Sequence, residues 1–290
     1  MTNHLSDLSR SLSAATARAS QAVVAVAGES SFSSGFVWRE GLVVTADEAL
    51  EAEDRATVTL ADGSEFEARL HGRDPSTDVA LLRVEAPLPA PIPLEASVPA
   101  LGEIALAVGR AGEGPIAAMG IVGALGPAWR SLRGGHIDAR IALDLRLPRM
   151  AEGGLAVDAE GRAFGMAVLG PRRTTLVIPA ATIERVASHL AQHGRIGRGY
   201  LGLGLQPVKV EGSGGRGMVV VSIDSDGPGR RAGIRQGDIL LRLGESPLGG
   251  MRDLMFRLGP ETVGQAVEVA LLRGGEPLSV TLTIAERPAA

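Results

Sequence analysis

The chain runs through two hydrophobic rhythms, and these divide it before any motif is read. Leu5, Leu8 and Leu12 recur at helical spacing, with Ser6, Asp7 and Ser9 able to cap, which predicts an amphipathic helix from Asn3 to about Ala19. Its small apolar stripe suits docking on the body of the protein or on a neighbouring subunit rather than on a membrane. From Gln21 the pattern changes to short strands: the run Ala22 to Val26, then Gly35 to Trp38 and Leu42 to Thr45. Thr57 to Leu70 reads as a hairpin turning at Asp62-Gly63, and Val79 to Val84 as another strand. Pro87 to Pro99 holds five prolines, which rules out a helix or a central strand and marks a connection between two halves. Strands are predicted again at Ile104 to Val108, Met119 to Leu125, Ile137 to Leu143, Leu155 to Val157, Phe164 to Val168 and Thr175 to Ile178. So many short strands, each followed by a turn signal, argue for barrels or sandwiches.

One more helical stretch, Ala180 to His193, carries Ile183, Val186 and Leu190 on a single face and stops at Gly194. A domain boundary follows, near Arg195 to Gly199. Beyond it, Gly217 to Ile223 and Gly237 to Leu243 read as strands and Gly250 to Leu258 as a short helix. Val263 to Leu272 then pairs with Leu278 to Ile284 across Arg273-Gly274-Gly275. The strictly alternating last strand has one buried and one wet face.

Composition narrows the classes. The 290 residues suffice for two domains, and 45% hydrophobic with 21% charged residues is the balance of a globular chain rather than a disordered one. A net charge of -4 disfavours a nucleic-acid binder. Aromatics make up only 3%, so the cores must be built from Val, Leu, Ile and Ala. The chain has no cysteine, which removes disulfides, thiol catalysis and thiolate metal sites. Met1 to Ser20 holds no apolar run of signal-peptide kind, and no stretch is long enough to span a membrane, so a cytoplasmic protein is expected if Met1 is the true start.

The stretch Leu147-Pro148-Arg149-Met150-Ala151-Glu152-Gly153-Gly154-Leu155-Ala156-Val157 draws the chemistry together. A loop ending in paired glycines before an apolar strand resembles the nucleophile loop of chymotrypsin-like serine proteases. Further matches stand in order: Gly41-Leu42-Val43-Val44-Thr45-Ala46-Asp47-Glu48-Ala49-Leu50, Gly72-Arg73-Asp74-Pro75-Ser76-Thr77-Asp78-Val79-Ala80-Leu81-Leu82, Asp144, Ile178-Pro179 and Gly199-Tyr200-Leu201-Gly202. From about Gln21 to Arg287 the chain resembles the HtrA/Deg-type serine proteases. The resemblance implies a mostly β architecture: a helical segment over 1–20, a trypsin-like double six-stranded β-barrel over 21–195, and a PDZ domain over 196–290, a β-sandwich with a short helix.

Carried over position by position, the resemblance puts the catalytic histidine at Glu48, the aspartate at Asp78 and the serine at Glu152. A carboxylate has no hydroxyl proton for a base to remove, so Glu152 cannot attack as a serine does. The glycine that shapes the oxyanion hole falls on Met150, where a Cβ disfavours the backbone that glycine permits. The expectation is a protein that is not an enzyme, a pseudoprotease acting as a peptide-binding scaffold or regulatory subunit. A serine-type endopeptidase with residual or non-standard activity is the alternative. None of His4, His71, His136, His189 and His193 has a nucleophile and an orienting acid beside it in sequence, so each reads as a surface or packing residue.

Three carboxylates in one cleft raise one another's pKa or call for a cation such as Ca²⁺, Mg²⁺ or Mn²⁺. The plainer reading turns Glu48 and Glu152 outward, or pairs them with Arg146, Arg149, Arg172 or Arg173; an acid/base pair acting on a glycoside is weaker still. No cofactor is expected. In the last domain Tyr200, Leu201, Gly202 and Leu203 resemble a PDZ carboxylate-binding loop, and Leu203, Gly204, Leu205 and Gln206 would take a peptide as an added strand. Met251, Leu254, Met255 and Leu258 would line a pocket for an apolar C-terminal residue, although all could equally be core positions. The partners expected are protein C-termini or unfolded segments. Family resemblance also implies a homo-oligomer, such as a trimer, or a mixed assembly with an active relative.

Overall fold

Short strands with buried faces on both sides need a partner at each edge, and in the first half of the chain they find it by closing into barrels. The computed structural model describes residues 4–50, 54–210 and 215–288. They divide into two units: Met1–Trp129 with His136–Ile196, and Arg130–Gly135 with Gly197–Ala290.

In the first unit, helix α1 spans His4–Ser20; Asn3, where the predicted helix begins, lies outside the described residues. Leu5 is 78% exposed, so the leucine stripe that reveals the helix is not what anchors its start. Ala15 and Ala19 are buried and let the helix backbone approach the second barrel closely. Strands β1 (Val23–Ala27), β2 (Phe32–Arg39), β3 (Leu42–Thr45), β4 (Arg55–Thr59), β5 (Glu65–Asp74) and β6 (Val79–Val84) close in the order β1-β2-β3-β6-β5-β4.

The proline-rich connection follows, then β7 (Ile104–Ala111) and β8 (Gly114–Gly126). Two-residue strands β9 (Trp129–Arg130) and β10 (His136–Ile137) lead to β11 (Arg140–Asp144), β12 (Leu155–Asp158), β13 (Ala163–Leu169) and β14 (Thr175–Pro179). The second barrel closes in the order β11-β14-β13-β12-β7-β8. Strand β8 is longer than predicted because Pro115, Ala117, Met119 and Ile121 point outward, and apolar residues on its outer face hide the alternation. Helix α2 (Ala180–His193) buries Ile183, Val186 and Leu190 and ends where Gly194, in the left-handed conformation, donates its N–H to the Leu190 carbonyl at 2.7 Å.

The second unit holds β15 (Gly199–Tyr200), β16 (Leu203–Val208), β17 (Gly217–Ile223), α3 (Pro228–Arg231), β18 (Ile239–Leu243), β19 (Ser246–Pro247), α4 (Met251–Arg257), β20 (Ala266–Arg273), β21 (Glu276–Thr283) and β22 (Ala285–Glu286). Its main sheet runs β16-β17-β18-β20-β21, which leaves β16 as an edge strand. The four-residue helix α3 was not predicted, since one turn opened by Pro228 is too short to show a period. Met218, Ile234, Leu240, Val269 and Leu282 form its core, and the polar face of β21 stays wet.

Candidate functional site

The first barrel presents two of the three predicted carboxylates. Glu48 opens a 3₁₀ turn, Glu48–Leu50, just after β3, and its backbone N–H donates to Asp78 Oδ1 at 2.8 Å. Asp78 ends the β5–β6 turn at φ 59, a left-handed conformation that aspartate tolerates better than most side chains. Asp74 builds that turn: Oδ1 accepts from the Ser76 N–H and hydroxyl, at 3.1 and 2.6 Å, and Oδ2 from the Thr77 hydroxyl at 2.7 Å. Beside it Arg73 Nε donates to Asp47 Oδ1 at 2.6 Å.

The second barrel supplies Glu152. Arg149–Ala151 form a 3₁₀ turn, and the Glu152 N–H donates back to the Arg149 carbonyl at 3.2 Å. The neighbouring N–H groups of Ala151 and Gly153 go to Pro148 O at 2.8 Å and Ala167 O at 2.9 Å. The N–H groups of Ala151, Glu152 and Gly153 are therefore spent inside the protein. Met150 itself is 39% exposed and sits in the turn. The paired glycines are required by sterics: Gly153 has φ +83, and a Cβ on Gly154 would stand 2.3 Å from the Val108 carbonyl oxygen.

A residue that sequence reading passed over holds this loop. Fully buried Ser34, on β2, donates its hydroxyl to Met150 O at 2.6 Å and accepts the Arg110 N–H at 2.8 Å, while its own N–H donates to Glu152 O at 2.8 Å. Arg110, 5% exposed, reaches on to Val23 O at 3.0 Å and Ser20 O at 3.1 Å. The end of α1 is thus tied through Arg110 and Ser34 to the loop before Glu152. Ser34 is separated from Arg110, Met150 and Glu152 by 76 residues or more in sequence, so no local signal announces them.

The electrostatics follow from enclosure. Asp78 is pushed up to about 7, first by burial and then by the charges of Glu48, Glu152 and Asp47, against the N–H donated by Glu48. Glu152 is 8% exposed, and its carboxyl is raised by burial and by Glu48, against the Leu169 N–H that donates to Oε1 at 3.0 Å and the charge of Arg149. Glu152 thus points inward, not to water, and its closest hydrogen-bond partner is a backbone N–H rather than an arginine. Glu48 is exposed at the mouth. Two recesses flank the carboxylates, one of about 360 Å³ walled by Ser31, Phe32 and Met150, the other of about 690 Å³ walled by Arg146, Arg149 and Arg173.

Among the described residues, no group of three or more His, Asp or Glu side chains is placed to hold a metal ion. Glu48, Asp78 and Glu152 act on one another through charge. No histidine lines either recess. His71 Nε2 lies 3.2 Å from Ala191 O, His189 stacks on His193 with ring centres 4.6 Å apart, and His136 stands 3.6 Å from Asp138.

In the second unit the edge strand β16 packs beside α4. The loop before it is drawn tight: Gly229 and Asp224 donate their N–H groups to the carbonyls of Leu201 and Gly202, at 2.8 and 3.0 Å. Gly202 has φ +66, and a Cβ there would meet Gly227 Cα at 2.7 Å. Tyr200 pairs with Ala285 in the small β15–β22 ladder. Leu201, Leu205, Leu254 and Leu258 belong to the core, Leu203 is partly buried against it, and Met251 is 43% exposed. Met255 is half-buried. Leu258 falls just beyond α4, as its C-terminal flanking residue, rather than on the helix.

Known proteins share both units. Residues 33–166 match the family described as "Trypsin-like peptidase domain" and residues 199–284 the family described as "PDZ domain". A trypsin-like peptidase domain followed by a PDZ domain is thus the class of this protein. Within it, the chain belongs to the HtrA-type family. A "Probable periplasmic serine endoprotease DegP-like" of Brucella suis biovar 1 (strain 1330) is 31% identical over 272 residues, covering 88% of this chain and 52% of that protein. The "Periplasmic pH-dependent serine endoprotease DegQ" of Escherichia coli (strain K12) is 30% identical over 260 residues, covering 84% and 57%. The chain spans about half the length of these curated relatives. Among solved structures, a serine endoprotease from Yersinia pestis matches at TM-score 0.71 and 28% identity, over 96% of this chain and 98% of that one. An HtrA-type protease AlgW with a decapeptide matches at TM-score 0.71 and 25% identity, over 96% and 99%.

Two expectations are corrected by these relatives. The carboxylates at positions 48 and 152 argued for a protein that is not an enzyme, yet the homologues are named serine endoproteases. The expectation of a cytoplasmic protein, read from Met1 to Ser20, is overturned because the homologues are named periplasmic.

Proposed function

We propose that this chain binds protein C-termini or unfolded segments through the groove between β16 and α4, and serves as a scaffold or regulatory subunit for what it holds. The observation that carries the reading is an edge strand with an apolar helix face beside it and a tight glycine loop at its head. An extended peptide would add to β16 by backbone hydrogen bonds, its C-terminal carboxylate would meet the Tyr200–Leu203 loop, and Met251 and Met255 would receive an apolar last side chain. The structure of the HtrA-type protease AlgW with a decapeptide supports this reading. Isothermal titration with a peptide ending in valine tests the reading: a free carboxylate should bind, and no heat at any concentration would end it.

The names of the relatives favour a second reading, a periplasmic endopeptidase. Glu48 and Glu152 offer no serine–histidine pair, so hydrolysis here would rest on carboxylates. Asp78, holding its proton near neutral pH, would be the acid, and Glu152 or Glu48 the base for a water. Cleavage of unfolded casein by the full chain should then fall by about a hundredfold in Glu152→Ala; an unchanged rate would show that the cleft is not responsible.

A further inference from the structure

The larger recess beside Glu152 has a character of its own. Leu147, Pro148 and Leu169 give it apolar walls, and Arg146, Arg149 and Arg173 line it as well, within a volume of about 690 Å³. That space accepts one or two side chains of an extended segment. Other arginines of the first unit are engaged: Arg39 with Glu184, Arg73 with Asp47, Arg162 with Asp158 and Arg185 with Asp138. Among the described residues, the side chains of Arg146, Arg149 and Arg173 make no ion pair within 4.0 Å and no hydrogen bond, although the charge of Arg149 acts on Glu152. Three arginines line one recess with their hydrogen-bond donors unspent.

The backbone gives an independent sign. Arg172 and Arg173 both lie in the left-handed region, at φ 57 and φ 60. Each such residue costs about 1–2 kcal/mol, and two in succession are held only where the surroundings fix them. Here Gly170 N–H and Thr174 O close the turn at 2.7 Å, directly after Leu169, whose N–H holds Glu152. The turn places Arg173 in the wall of the recess. Glu48 and Glu152 line the recess too but do not cancel this charge: three cations stand with two anions, and one of the anions, Glu152, feels Arg149 and accepts a backbone N–H.

We propose that this recess binds an acidic segment of a partner protein, whose Asp or Glu side chains are taken as forks by Arg146, Arg149 and Arg173. Guanidinium pairs with carboxylate through two parallel hydrogen bonds, and groups contributed by two separate loops suit two or more carboxylates along a strand better than one small anion. The site is distinct from the β16–α4 groove and does not depend on it.

Fluorescence anisotropy of a labelled peptide of alternating alanine and glutamate, acetylated at its N-terminus and amidated at its C-terminus, tests this on the full chain. Amidation removes the free C-terminus, and the comparison with Arg149→Ala/Arg173→Ala separates this site from the second unit's groove. Binding should weaken about tenfold when every glutamate is replaced by glutamine, and by at least as much in Arg149→Ala/Arg173→Ala. Arg83→Ala, at the far end of β6 from Asp78, should leave it unchanged. Equal binding of the glutamine peptide, equal loss in Arg83→Ala, no binding at about 1 mM peptide, or full displacement by inorganic phosphate at matched ionic strength would each overturn the proposal. The glutamine comparison needs no variant, so a folding defect cannot obscure the outcome.

Discussion

At the residue scale, the question is what a half-buried acid does when it cannot ionise cheaply. Asp78 has its pKa raised to about 7 from an ordinary value of 3.8, so the folded state holds a proton that the unfolded chain releases. Its contribution to stability is fully present below pH 3.8 and is lost as pH rises through about 7. Asn can keep the bond from the Glu48 N–H and tolerates the same left-handed backbone. Asp78→Asn should therefore stabilise the first unit at pH 8 by at least about 1.4 kcal/mol, the worth of one pKa unit, and by far less at pH 4. Thermal melting at the two pH values checks the sign; an equal gain at both would remove the charge argument. Ser34 gives the complementary case. Ser34→Ala would leave the Arg110 N–H and the Met150 carbonyl without their buried partner and should cost about 1–3 kcal/mol. Trp38 and Trp129 both belong to the first unit, so the loss should appear as a lower urea midpoint in tryptophan emission.

At the scale of elements, legibility depended on how local the determining contacts are. Strands β3 and β6 and helix α2 fall where the apolar runs and Gly194 put them, because a short run between turn residues or a 3.6-residue stripe is complete in itself. Strand β8 was undersized, since an apolar outer face erases the alternation that marks its ends. In the site, Glu48, Asp78 and Glu152 could be named from resemblance; Glu48 and Glu152 line one recess, and the Glu48 N–H donates to Asp78. Their environment could not be read: the Leu169 N–H on Glu152, the Gly153 N–H on the Ala167 carbonyl and the Ser34–Arg110 tie all join segments that are apart in sequence. The second unit offers a test of element anchoring. Asp238, whose side chain is 2% exposed, would be raised by burial, but the Arg273 fork at 2.9 and 2.8 Å and the Arg235 N–H hold it below its ordinary value. This stabilisation is present above the unfolded pKa of 3.8 and is lost as pH falls through the depressed value. Arg273→Ala should cost about 2 kcal/mol at pH 7, lowering the urea midpoint seen by circular dichroism while the tryptophan transition stays in place.

At the scale of the molecule, two units divide the work. The double barrel contributes an enclosed carboxylate cleft, and the second unit an edge strand beside a helix, a recurring way of capturing an extended peptide. The chain's place in the HtrA-type family agrees with both units. The most direct measurement is titration calorimetry of the full chain with two peptides of one sequence ending in valine, one with a free C-terminal carboxylate and one amidated, repeated in Gly202→Ala. The free peptide should bind, the amidated one should bind at least about tenfold more weakly, and Gly202→Ala should lose the difference, because a Cβ cannot fit against Gly227. Equal affinity for the two peptides, or a Gly202→Ala protein that still distinguishes them, would contradict recognition by the Tyr200–Leu203 loop.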